Sequence, residues 1–119
     1  MKNATQDIAS RLVELMRNQQ FVLAYEQLYS DDAISIDPLK PDLSPIKGLS
    51  KLIELEKAFL SKVAIHAVDV SEPICSGVYF AIRLFMNLTL DSTNTPFEEL
   101  CVYEVRDNKI VSQQFFVAR

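Results

Sequence analysis

Few side chains in this 119-residue sequence are equipped for chemistry, and they are scattered along it. His66 is the single histidine, the side chain whose charge changes near neutral pH. Asp37, just before Pro38, and Glu99, beside Glu98, are carboxylates that can move a proton next to a carbonyl if they stand within hydrogen-bond reach of it. An Asp-Pro step is equally a turn initiator, and a Glu beside another Glu is equally a solvated edge. Tyr25 and Tyr29 stand one helical turn apart, a spacing that suits core packing with the hydroxyls at a rim. Gln113 is a neutral amide with apolar Val111 and Phe115 two positions to either side, on the same strand face, and such a group must find partners when buried.

Other chemistries are disfavoured by what surrounds these residues. Cys75 and Cys101 have no CxxC or zinc spacing, and one histidine cannot build a His-rich metal site, so no metal is expected, and proton transfer by the groups above would call for no organic cofactor. Both cysteines read as small buried hydrophobes in a reducing cytoplasm. Twelve basic residues against 16 acidic ones give a net charge of -4 with no Lys/Arg cluster. Nucleic-acid binding, which needs a concentrated positive surface, is therefore not expected. No apolar run approaches the roughly 20 residues that cross a bilayer, and Met1-Lys2-Asn3 leads into a polar stretch without the apolar core of a secretory leader. At 49% hydrophobic and 24% charged, the chain has the balance of one globular domain spanning 1–119.

The elements that must position these groups follow from periodicity. Ile8, Leu12, Leu15 and Met16 mark a first helix from Ala4 to Asn18, with Asn3 and Gln6 as a capping box. Phe21, Ala24, Tyr25, Leu28 and Tyr29 mark a second, stopped by Ser30-Asp31-Asp32. Ala33 to Asp37 alternates as a short strand, and Pro38, Pro41 and Pro45 make 38–47 a loop ended by Gly48. A third helix runs from about Leu49 to Ser61, its apolar stripe formed by Leu52, Leu55, Phe59 and Leu60, with Glu56 and Lys57 facing solvent. Strands are expected over 64–74, 78–90, 95–106 and 109–118, separated by turns at Cys75-Ser76-Gly77, 91–94 and Asp107-Asn108. Three helices followed by a long meander give an α+β fold, a curved antiparallel sheet packed around N-terminal helices as an open cone.

Leu28-Tyr29-Ser30-Asp31-Asp32-Ala33 leading into Ile36-Asp37-Pro38, then Gly48 opening a helix, resembles the ketosteroid isomerase segment that ends in Asp-Pro. The stretch from Glu98 to Val105 and that from Lys109 to Phe116 are similar to the SnoaL-like (polyketide cyclase-like) branch of the nuclear-transport-factor-2-like superfamily. The resemblance covers about Asp7 to Val117 and implies the cone-shaped, cystatin-like fold. It also implies a general base at Asp37. The isomerase's oxyanion donors, a tyrosine and a protonated acid, fall on Leu12 or Val13 and on Cys101. Leu and Val donate nothing and a thiol donates weakly. Steroid isomerisation is thus disfavoured, because such donors carry much of the catalysis.

The register the family suggests points Phe97, Glu99, Cys101, Tyr103 and Val105 into the cone, and alternation adds Phe80, Ile82, Leu84 and Met86, then Gln113, Phe115 and Val117. The candidate catalytic set is Asp37, His66 and Glu99, with His66 reaching one of the acids and Lys57 as a counter-charge for Glu99. The candidate ligand contacts are Tyr25, Tyr29, Phe80, Ile82, Leu84, Cys101, Tyr103, Gln113 and Phe115. Three functions compete. An acid–base enzyme of isomerase or cyclase type would act on a small hydrophobic carbonyl compound. A binding module would hold a small hydrophobic molecule unchanged. A dimerisation domain would have its cone plugged, leaving no pocket of about 300 Å³ or more. Leu100, Val102 and Phe116 make the outer sheet face apolar, so a cytoplasmic homodimer through that face is expected in each case.

Overall fold

A computed structural model of the chain describes residues 4–36 and 45–118. Asp37, the loop over 38–44 and the proposed cap at Asn3 lie outside the described residues.

Helix α1 (Ala4–Arg17) buries the stripe Ile8, Leu12, Leu15 and Met16 that its spacing predicts. Its last residue, Arg17, donates two hydrogen bonds to the Val70 carbonyl, at 2.8 and 3.2 Å, and pairs with Glu72 at 3.0 Å. This fastens the helix to the far edge of the sheet. Gln19 has φ 59°, a left-handed step that turns the chain into α2 (Phe21–Leu28). No turn follows α2. Tyr29 adopts extended φ and ψ and opens strand β1 (Tyr29–Ile36) directly, so Ser30-Asp31-Asp32 lie within the strand and not before it.

A two-residue strand β2 (Ile46–Lys47) pairs antiparallel with β1, where the sequence predicts loop. Gly48 follows with φ 98°, a backbone region open to glycine at little cost. Its N–H donates to the Ala33 carbonyl at 2.9 Å, and its own carbonyl accepts from Lys51 and Leu52, so one residue couples β1 to helix α3 (Leu49–Lys62).

The meander runs through β3 (Val63–Val70), β4 (Ile74–Ser76), β5 (Tyr79–Leu90), β6 (Thr93–Asn94), β7 (Phe97–Arg106) and β8 (Lys109–Val117). Pro73, which has no N–H to donate, separates β3 from β4. Cys75-Ser76 is therefore strand, paired with β5, and the turn comes later, at Gly77. Asp91-Ser92 and Asp107-Asn108 all have positive φ, the pairing found in two-residue type I′ hairpins.

Strand order is β2-β1-β8-β7-β5-β3, with β4 and β6 also on β5. The meander is antiparallel as predicted, but β1 joins β8 in parallel, which makes the sheet mixed. The sheet is curved and unclosed, and the three helices pack against it. The inner face of β5 supplies Phe80, Ile82, Leu84, Met86 and Leu88 to the core, all at most 5% exposed. Among the described residues, no helix is long and apolar enough to cross a membrane.

Candidate functional site

Between the helices and the inner sheet face lies a cavity of about 200 Å³. Its walls follow from the periodicities above. Leu12 and Met16 come from the buried stripe of α1, and Tyr25 from the side of α2 that faces the sheet. Alternation turns Leu84 and Met86 of β5 inward, with Phe97, Glu99 and Tyr103 of β7 and Gln113 and Phe115 of β8. The lining is mostly apolar, with a few polar groups converging on it, the usual composition of a small-molecule site.

One polar cluster is built around Gln113, which is 2% exposed. The Tyr29 hydroxyl donates to Gln113 Oε1. Gln113 Nε2 donates to the Tyr25 hydroxyl at 2.9 Å and to Ser35 Oγ at 3.2 Å. Cross-strand register puts Gln113 between Tyr103 on β7 and Ser35 on β1. The two tyrosine rings pack at 4.5 Å between centroids. Burial, first among the causes, raises the pKa of Tyr25 and Tyr29, so both remain phenols.

The other cluster is acidic. Glu56 of α3 and Glu99 of β7 line the same hollow. Burial, and then the charge of Glu99, push Glu56 up to about 7. The Cys101 thiol lies 3.8 Å from Glu99 Oε1 as a donor, and burial followed by the Glu99 charge raises its pKa, which keeps it a thiol. Among the described residues, no group of three or more His, Cys, Asp or Glu side chains is gathered as if for a metal ion.

A family model for the SnoaL-like domain matches residues 3–117. The chain belongs to the SnoaL-like family. Solved structures share the family's architecture at low identity. A Mesorhizobium loti protein named for a SnoaL-like polyketide cyclase superposes with a TM-score of 0.85 at 23% identity, over 92% of this chain and 96% of that one. An LEH-like epoxide hydrolase from M. tuberculosis gives 0.73 at 15% identity, over 97% and 83%. A Kribbella flavida protein named for a ketosteroid isomerase gives 0.73 at 16%, over 98% and 78%. These likenesses place the chain in the cone fold. A search of curated proteins finds no match.

Against that family frame, the candidate residues divide. Tyr25, Tyr29, Leu84, Glu99, Tyr103, Gln113 and Phe115 line the hollow of this SnoaL-like chain. Phe80, Ile82 and Cys101 do not reach it. They lie beneath, fully packed, with Phe80 stacked on Tyr103 at 4.7 Å. His66 does not face inward. A register shift between Ile65 and Ala67 breaks the alternation of β3 and leaves His66 exposed on the edge strand, its Nε2 2.7 Å from Thr89 Oγ1. Lys57 is also exposed, and the group whose charge is coupled to Glu99 is Glu56.

Glu56 is the residue that sequence reasoning missed. The expected stripe of α3 includes Leu55, which is 40% exposed, whereas Glu56 is half-buried. Its spacing allows this, four residues after Leu52 and three before Phe59, but Leu55 fits the same two inward side chains at three and four, so only packing separates the pair.

Proposed function

We propose that this SnoaL-like chain is an acid–base catalyst for a small apolar carbonyl compound, with Glu56 as the proton acceptor. The observation carrying this reading is a half-buried carboxyl group facing a second carboxylate across an apolar hollow, where burial and that neighbouring charge push it up to about 7. A general base works best when its pKa lies near the ambient pH, and burial beside a like charge is how a glutamate reaches that value. Glu99 tunes Glu56 through its charge. Relatives in fold named for a cyclase, an epoxide hydrolase and an isomerase lend the reading general support. A hollow of about 200 Å³ suits one ring with small substituents, since an apolar cavity of roughly 150 Å³ takes benzene. A four-ring steroid would not be enclosed. Both cysteines are free, which suits a reducing compartment such as the cytoplasm.

The test is deuterium exchange at the α-carbons of cyclohexanone in D₂O, followed by NMR. The wild-type rate should rise with pH to a plateau, with a midpoint near 7, because only ionised Glu56 accepts a proton. Glu56→Gln should lower the rate by about 10²-fold or more. Glu99→Gln should move the midpoint to lower pH, since it removes the second cause of the shift. Bound ketone with exchange no faster than in buffer would leave the binding-module reading in its place.

A second reading is favoured by the outer sheet face and by the hollow's being smaller than the 300 Å³ typical of ligand sites. Leu100 and Phe116 sit opposite each other across β7 and β8 and are 47% and 42% exposed, and Ile74 on β4 is 77% exposed. A second copy of the chain covering this face would remove the liability. That assembly is compatible with catalysis, and sedimentation showing only monomer at micromolar concentration would refute it.

A further inference from the structure

The hydrogen bonds around Gln113 have a direction, and the direction ends in the hollow. Tyr29 is buried, and among the described residues the one hydrogen-bond partner of its hydroxyl is the Gln113 side chain. Were the amide turned over, its NH₂ would face the Tyr29 oxygen and leave a buried phenol proton without an acceptor, a loss on the order of 1–3 kcal/mol. The amide carbonyl therefore faces Tyr29. Its two N–H groups are then committed to Ser35 and to the Tyr25 oxygen. Tyr25 is thus an acceptor toward Gln113, and its own proton must be given elsewhere. Among the described residues no group takes it, while its ring lines the cavity together with Glu56 and Glu99.

We infer that Tyr25 is a substrate-binding donor, its proton held toward the cavity by the one-way relay Tyr29 to Gln113 to Tyr25, so that the ligand must offer an oxygen acceptor there. Tyr29 and Gln113 are positioning residues. Neither determines the ligand by contact alone; together they keep the Tyr25 hydroxyl from folding back onto the protein. This inference rests on the reading of the hollow as a ligand site but not on proton transfer by Glu56. An apolar pocket with one aimed donor discriminates by chemistry more than by size, because a bound ligand without an acceptor leaves the donor unpaired.

The relay is tested with two probes of similar shape, cyclohexanone and methylcyclohexane, binding being followed by NMR titration and the ketone by its infrared carbonyl stretch. In the wild type the bound ketone's stretch should lie at lower wavenumber than in an apolar solvent. Tyr25→Phe should weaken cyclohexanone about tenfold, strengthen methylcyclohexane several-fold because no donor is then left unpaired, and return the stretch to its apolar-solvent position. Hydrocarbon binding at least as tight as in the wild type certifies that the variant is folded. Tyr29→Phe frees the Gln113 carbonyl to take the Tyr25 proton. It should weaken the ketone about threefold and shrink the band shift although Tyr25 is still present, which a purely structural role for Tyr29 would not do. Wild-type ketone affinity and band position in Tyr25→Phe, or failure of the wild type to bind either probe, would overturn the assignment. Ketone bound with a shifted band but no deuterium exchange would sink the acid–base reading alone.

Discussion

Glu98 and Glu99 are neighbours on β7, yet the pleat sends them into different solvents. Glu98 turns to the outer face, where Arg83 reaches it at 2.8 Å and also contacts Asp69 at 3.4 Å. All three side chains are well hydrated, and pairs of this kind contribute about 0–1 kcal/mol. Glu99 turns inward among aromatic side chains, where its charge raises the pKa of Glu56 and Cys101. The contrast teaches that an acid's sequence neighbours say little about its chemistry. Here the face of a strand decides whether a carboxylate is decoration or a source of field, because low-dielectric surroundings magnify every charge they enclose.

Three substitutions put that contrast under strain. The largest effect is expected for Phe80→Ala, on the inner face beneath the hollow. Removing a ring that is 1% exposed and stacked on Tyr103 should cost about 3–5 kcal/mol in chemical denaturation, and a loss below 1 kcal/mol would mean the inner face is not a packed core. An intermediate effect is expected for Glu56→Gln, and it depends on pH. The folded protein raises Glu56 from the ordinary 4.5 to about 7, so folding favours the protonated form. The stability this proton confers is complete below pH 4.5 and is lost as the pH climbs through 7. The variant should therefore match the wild type at pH 4 and exceed it by about 2 kcal/mol at pH 8, a figure reduced for the partial exposure of the group. Equal stabilities at both values would place Glu56 in water. The smallest effect belongs to the outer face: Glu98→Gln should change stability by less than about 1 kcal/mol, and the difference should shrink further in 1 M salt.

Much of the architecture was legible because its signals are local. The stripe of α1, the inward run from Phe80 to Met86 and the turn at Asp107-Asn108 are each written in a few adjacent residues, and the structure follows them. What escaped was decided by packing at a distance. β1 starts at Tyr29 because β8, far along the chain, offers it a parallel partner, so the polar run Ser30-Asp31-Asp32 is drawn into a strand against its turn preference. The roll of α3 exposes Leu55 and half-buries Glu56, an exchange between adjacent residues that no hydropathy pattern would choose. His66 left the site through a bulge, which shifts a strand's facing by one residue and shows no mark in composition. The family-level register still put Glu99, Tyr103 and Gln113 on one face, because alternation within β7 and β8 holds up to the hollow.

The bond from Tyr29 to Gln113 joins residues 84 positions apart. During synthesis, then, the first tyrosines emerge long before the amide that orients them, and no vestibule of the hollow can assemble on a half-made chain. Docking of the earliest strand must wait for the last hairpin, a long-range closure of the kind that slows folding. Disruption of β8 would accordingly strike the polar heart of the molecule, although Gln113 stands 88 positions from Tyr25 in sequence.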